Sequence, residues 1–117
     1  MSSNAELLLA TQLEQAGIPF EREFRFAPPR RWRADFLVGE PGFVKGHWVN
    51  KYLVEIDGGA WLPKGRHTTG SGVEADAEKQ SAAAILGYRV IRVTPKQVDD
   101  GRALLWIQQA LGMERAA

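Results

Sequence analysis

Two short apolar segments, one interrupted by a single acid and the other by two acids at alternate positions, constrain the fold of this chain most strongly. Apolar and polar side chains alternate over residues 32–38, and residues 52–57 repeat the pattern. Successive side chains of a strand point to opposite faces, so this period of two predicts two strands, each with one apolar and one mixed face. Asp35 lies on the mixed face of the first strand, and Glu55 and Asp57 lie together on that of the second.

The other segments complete the order α, β, β, β, α, β, α. Residues 39–50 and 60–72 are rich in turn-forming residues and predict loops, the first of which can form an extended hairpin. One mixed β-sheet of about four strands flanked by helices, an α/β fold, is the economical arrangement. The remaining predicted elements are a first helix over 4–16, a short strand or arm over 21–25, an Ala-rich helix over 73–86, a strand over 88–93 and a final helix over 99–111.

Length and composition limit the classes of protein that fit. The 117 residues predict a single domain over 1–117, and the 44% hydrophobic share is sufficient for a core. The absence of cysteine excludes disulfides, thiolate nucleophiles and cysteine-based zinc sites. No apolar run approaches the roughly 18 residues of a membrane helix, and the first residues lack the features of a signal peptide. We therefore expect no membrane partner and a cytoplasmic location, in a bacterium or a phage-infected host cell.

The three acids predict a metal site. Strands that are neighbours in sequence usually pair, so Asp35 can lie beside Glu55. Clustered carboxylates repel each other unless a cation or a proton lies between them. Hard divalent ions such as Mg²⁺ or Mn²⁺ prefer these oxygens, so Asp35, Glu55 and Asp57 are the predicted ligands. The alternative is a solvated sheet face on which basic neighbours pair with the acids, namely Arg31, Arg33 or Lys51.

Five motifs that include these acids follow one another along the chain. They are Arg33-x-Asp35-Phe36, Val54-Glu55-Ile56-Asp57-Gly58-Gly59, His67, Asp76-x-x-Lys79 and Leu86-Gly87-Tyr88-Arg89-Val90-Ile91-Arg92. Their order resembles the PD-(D/E)XK nuclease superfamily, and within it the branch similar to very-short-patch-repair endonucleases. The match covers nearly the whole chain. The resemblance implies an αβββαβ core, like that of restriction endonucleases, and Mg²⁺-dependent hydrolysis of DNA phosphodiester bonds.

One position departs from the pattern of the superfamily. The usual lysine, two residues after the second acid, is replaced by Asp57. Lys79 is our candidate for the missing cation, because some members of the superfamily carry this lysine on the following helix. The alternative for Lys79 is an i,i+3 ion pair with Asp76 on a solvated helix face.

Two further residues are candidates for catalysis. A loop histidine such as His67 can act as a base toward water or bind phosphate when charged, and the resemblance implies a site histidine after the second acidic strand. Glu6 lies three residues after Ser3, which fits a capping box, but the resemblance implies that a glutamate of the first helix can approach the metal. His67 can also be an ordinary exposed residue, and Gln80 can face either the site or the core.

Basic and aromatic residues are candidates for nucleic-acid contacts. Trp61 and Trp48 lie in loops and can stack on unpaired bases, whereas we expect core packing for Trp32 and Trp106. Basic side chains near the acidic strands can neutralise phosphates. They are Arg30, Arg31, Arg33, Lys45, Lys51, Lys64 and Arg66. The formal net charge of +1 says little about such a partner.

The function that we expect is a DNA endonuclease in which a metal activates water. A domain of this size has little room for a separate sequence-reading part, so we expect structure-selective or weakly selective cleavage, for example of branched or mismatched DNA. A homodimer is one way to cut both strands of a duplex. The alternative is a catalytically inactive nucleic-acid-binding module with a nuclease-like fold, which the replaced lysine favours.

Overall fold

The computed structural model describes residues 3–39, 42–44, 47–49, 51–57 and 70–112. Their helices and strands alternate largely as the sequence predicts. In chain order they are α1 (Asn4–Gln15), β1 (Phe20–Arg25), β2 (Arg33–Val38), β3 (Gly42–Val44), β4 (His47–Val49), β5 (Tyr52–Ile56), α2 (Gly70–Ile85), β6 (Arg89–Val93), α3 (Pro95–Asp99) and α4 (Arg102–Ala110).

A mixed four-stranded sheet in the order β1-β2-β5-β6 forms the centre of the fold. The pairs β1–β2 and β2–β5 are antiparallel, whereas β5–β6 is parallel. A parallel pair needs a crossover connection, and α2 lies on the one between β5 and β6. Strands β3 and β4 form a separate antiparallel pair, which confirms the extended hairpin within residues 39–50. The chain thus has the predicted α/β fold with one mixed sheet flanked by helices.

Helices α1, α3 and α4 cover one face of the sheet. Leu13 of α1, Val98 of α3 and Ile107 of α4 are completely buried in one cluster with Phe36 and Val54 of the central strands. Each such side chain contributes about 1.5–3 kcal/mol when it is removed from water. This cluster fixes α1 against the sheet. It thereby also fixes the position of Glu6, which lies in the first turn of α1.

Helix α2 covers the opposite face. Leu53 points away from Val54 because side chains alternate along a strand, and it packs with Ala83 of α2. Phe26 and Ala34 are buried in the same small cluster. The contact through Ala83 holds α2 close to β5, so residues one helical turn earlier on α2 lie over the acidic end of that strand.

The bounds of two helices differ from the prediction. Helix α2 begins at Gly70 and not at residue 73, so residues 70–72 of the predicted loop are helical. The final helix predicted over 99–111 is present as α4 but begins at Arg102, and a separate short helix, α3, precedes it over Pro95–Asp99. The Asp100 carboxylate accepts a hydrogen bond from the backbone N–H of Arg102, and Gly101 has φ of 90°, which together end α3 and start α4. None of the helices in the described ranges is long and apolar enough to cross a membrane.

Candidate functional site

Asp35 of β2 lies against β5, one residue from Glu55, at the end of the β2–β5 ladder. The β2–β5 ladder ends at the pair Phe36–Val54, so Asp35 and Glu55 are the next residues on the two strands. Oδ2 of Asp35 also accepts a hydrogen bond of 2.7 Å from the backbone N–H of Ile56, which fixes the carboxylate at the β5 edge of β2.

Glu6 reaches the same place from α1. Its backbone N–H donates to the Ser3 hydroxyl at the helix N-terminus, while its carboxylate accepts a hydrogen bond of 3.3 Å from Arg22 on β1. Burial raises the pKa of Glu6 above its ordinary value of 4.5, and the charge of Asp35 and a hydrogen bond with it act in the same direction. Arg22 opposes the increase in pKa. The first helix thus contributes a carboxylate directly beside Asp35.

Lys79 supplies a positive charge to the site. Its ammonium nitrogen lies 3.1 Å from Oε2 of Glu55, and the two side chains are only 25% and 22% exposed. Lys79 is four residues before Ala83 and therefore lies on the same face of α2 that packs on the sheet. Its ion pair is thus with Glu55, and the interpretation of Lys79 as an i,i+3 partner of Asp76 on a solvated face is wrong.

Arg92 is a site residue that the sequence reasoning did not assign. It is the register partner of Glu55 in the parallel β5–β6 ladder. Its guanidinium lies 3.7 Å from Asp57 and 3.9 Å from Asp76, so it stands between the end of β5 and the first half of α2. The alignment of β6 with β5 brings Arg92 here, and no spacing along the chain reveals that alignment.

A narrow cleft between α2 and the sheet carries these groups. Lys79 and Arg92 lie on its wall together with Glu55, and Gln80 also lines it, which places that residue at the site and not in the core. The remaining lining residues are Asp76, Ala83 and Val90. Acidic and basic side chains therefore line the same small cleft.

Other predicted contacts lie elsewhere. Arg33 pairs with Glu23 at 2.9 Å, and the Lys51 ammonium donates to the backbone oxygen of Leu86 at 2.7 Å. The alternative in which Arg33 or Lys51 neutralises the three acids is therefore wrong. Arg31 is exposed and lies two residues before the start of β2.

The expected core positions of two tryptophans are confirmed. Trp32 packs against the cluster that contains Phe26. The guanidinium carbon of Arg30 lies 3.9 Å from the centre of the Trp32 ring. Trp106 packs against the main core. Several predicted residues lie outside the part that the structure describes, namely Lys45, Trp61, Lys64, Arg66 and His67, as do the side chains of His47 and Trp48.

The donor chemistry of the site fits a hard divalent ion. Mg²⁺ is usually held by one or two carboxylates, with water and substrate phosphate completing its shell. Asp35 and Glu55 offer such a pair on adjacent strands. No group of three or more acidic or histidine side chains within the described ranges is placed to hold a metal. Asp57, the third predicted ligand, forms an ion pair with Arg92 at 3.7 Å.

Comparison with known proteins adds no family to this geometry. No protein-family model, no curated protein and no solved structure matches the chain. What the site can do must therefore be inferred from its own residues.

Proposed function

We propose that the chain is a metal-dependent DNA endonuclease that hydrolyses phosphodiester bonds at the site of Asp35 and Glu55. One observation carries this proposal. Asp35 and Glu55 lie at the end of the ladder between two adjacent strands, with the carboxylate of Glu6 beside Asp35 and the ammonium of Lys79 beside Glu55. Such a combination of acids and a cation suits a phosphodiester, whose charge needs a metal and a fixed positive group.

The acidic residues have distinct parts in this proposal. Asp35 and Glu55 would hold Mg²⁺ or Mn²⁺, with Asp57 as a candidate third ligand. The bound ion would supply Lewis-acid polarisation of the phosphate and a more acidic water. The Ile56 N–H keeps the Asp35 carboxylate oriented, which limits the reorganisation needed on binding. Glu6, whose pKa burial raises, accepts a proton more readily than an exposed glutamate does.

Lys79 replaces the missing lysine of the strand in this proposal. It reaches the site from α2, and its flexible side chain can contact a phosphate oxygen while it stays close to Glu55. His67 remains a candidate base toward water, and Arg31, Arg33, Lys64, Arg66 and Trp61 remain candidates for contacts with DNA outside the cleft. Branched or mismatched substrates, a homodimer and a cytoplasmic location also stay predictions.

A second function has one observation in its favour. Glu55 has Lys79 as its counter-charge, and Asp57 has Arg92. Acids that are already neutralised do not require a metal for the fold to be stable. A nucleic-acid-binding module that keeps this site without its chemistry would have the same ion pairs.

A cleavage panel separates the two functions. Purified protein is incubated with linear, nicked, flapped and four-way DNA in Mg²⁺, in Mn²⁺ and in EDTA. The endonuclease proposal predicts products in at least one metal and none in EDTA. Binding of these DNAs without cleavage in either metal, by protein that calorimetry shows to bind no metal, would instead support the module.

A further inference from the structure

We propose that Arg92 is a phosphate-binding residue, which donates hydrogen bonds to a backbone phosphate of a nucleic acid bound in the cleft. The inference rests on the proposed function for its ligand class, since it takes the ligand to be a nucleic acid. It holds for a nuclease and for a binding module alike, because both must hold the phosphate.

Arg92 lies close to the other charged residues of the cleft. Arg92 lies on β6, the outermost strand of the sheet beside β5, and it is paired in register with Glu55. Residues paired in register project from the same face, so the guanidinium shares the cleft with Lys79. A phosphate that contacts the Lys79 ammonium therefore also lies near the Arg92 guanidinium.

The N–H groups of Arg92 make no hydrogen bond to the two acids with which it forms ion pairs. Its distances to Asp57 and Asp76 are 3.7 and 3.9 Å, which are ion-pair distances but too long for hydrogen bonds. The other ion-paired cations of the described residues lie at 2.8–3.3 Å from their acids. They are Arg22, Arg30, Arg33, Lys79 and Arg102.

The two acids attract the Arg92 guanidinium without forming hydrogen bonds to it. Asp57 lies at the end of β5 and Asp76 on α2, so the guanidinium is attracted from two sides and kept at the cleft. A guanidinium has five N–H donors in a planar fork that matches two phosphate oxygens. A partner oxygen at hydrogen-bond distance then competes well with two more distant carboxylates, and the arrangement is ready to bind phosphate.

Binding measurements on three variants test this inference. Arg92→Gln removes the charge, Arg92→Lys keeps it but loses the fork, and Arg89→Gln is the matched control on the same strand. Arg89 donates to the Tyr52 hydroxyl at 3.4 Å and, three residues away, projects from the other face. The probe is a fluorescently labelled DNA duplex, titrated by anisotropy at several salt concentrations in Ca²⁺, which suppresses cleavage. Circular dichroism and thermal melting verify that each variant is folded.

The expected result is specific to Arg92. Arg92→Gln weakens binding roughly tenfold and lowers the slope of log affinity against log salt by about one. Arg92→Lys retains the slope and recovers part of the affinity, and Arg89→Gln binds like the wild type. A purely structural role would lower the melting temperature of Arg92→Gln while leaving the salt slope of its folded fraction unchanged, and that result overturns the inference.

Failure of the inference can be told apart from failure of the proposed function. If wild-type protein cleaves DNA in Mg²⁺ but Arg92→Gln binds the duplex as tightly as Arg89→Gln, the inference is wrong and the nuclease stands. If Arg92→Gln loses affinity and salt dependence but the wild type cleaves no DNA in either metal, the inference stands and the catalytic proposal is wrong.

Discussion

The ammonium nitrogen of Lys79 lies 3.1 Å from Oε2 of Glu55 and thereby joins α2 to β5 at the centre of the site. Both side chains are largely shielded from water, so their attraction is screened less than that of an exposed pair. Position 57 carries no lysine, but Lys79 brings a positive charge to the same site. It does so from α2, a helix that begins thirteen positions after residue 57.

Replacement of Lys79 by Met should lower the rate of DNA cleavage roughly 100-fold, because a preorganised charge at the phosphate is lost. Single-turnover kinetics with saturating protein measure the rate apart from binding. Lys96→Met is the matched control, since Lys96 is an exposed residue of α3. A Lys79→Met protein that cleaves as fast as Lys96→Met would exclude Lys79 from the chemistry.

The packing of α2 through Ala83 predicts a stability effect that is linked to activity. Ala83 of α2 is only 2% exposed, since it packs on the sheet. Ala83→Leu therefore overpacks the interface between α2 and the sheet and should reduce the free energy of unfolding by about 1–3 kcal/mol. Displacement of α2 should also reduce cleavage, because this helix carries Lys79. Urea unfolding and cleavage assays follow the two effects. Ala84→Leu at the exposed neighbouring position is the control, and equal losses in both variants would count against this view of the packing.

The raised pKa of Glu6 predicts how stability depends on pH in metal-free protein. The pKa is above its ordinary value of 4.5 in the fold, so stability from protonated Glu6 is fully present below that value and is lost as the pH rises through the folded pKa. Glu6→Gln stays neutral and can still accept from Arg22. Its free energy of unfolding relative to the wild type should therefore increase from pH 4 to pH 7.

Thermal or urea unfolding in EDTA at several pH values measures this difference. Glu14→Gln removes an exposed acid of the same helix and serves as the control. A Glu6→Gln variant that becomes less stable than the wild type as the pH rises would mean that the Arg22 ion pair outweighs burial.

The strands of the sheet could be predicted because burial repeats every two residues. The alternation over 33–38 returns in the structure as buried Ala34, Phe36 and Val38, although Ala34 packs in the cluster under α2 and the other two pack in the opposite cluster. Helix ends were less predictable. The run Gly70-Ser71-Gly72 is typical of a loop, yet α2 begins at Gly70, while the break between α3 and α4 depends on a local hydrogen bond of Asp100.

The site was predictable only where its residues are close in sequence or on adjacent strands. Asp35 and Glu55 follow from the pairing of two neighbouring strands, and Lys79 followed from a resemblance. The roles of Arg92 and Arg22 could not be predicted in this way, because their positions depend on the register of β6 and on the docking of α1 against β1. A pattern along the chain carries no information about either relationship.

The most direct test of the account is DNA cleavage by Asp35→Asn in saturating Mg²⁺. Asparagine keeps an oxygen for the Ile56 N–H but loses the charge that a metal needs, so the protein should fold normally. Its cleavage rate should fall by more than about 100-fold. Loss of a residue that only supports a metal ligand already lowers metal affinity or activity about 10–100-fold. Asp99→Asn, at an exposed position of α3, should cleave like the wild type. Wild-type cleavage by folded Asp35→Asn would contradict the carboxylate site on which the proposed function rests.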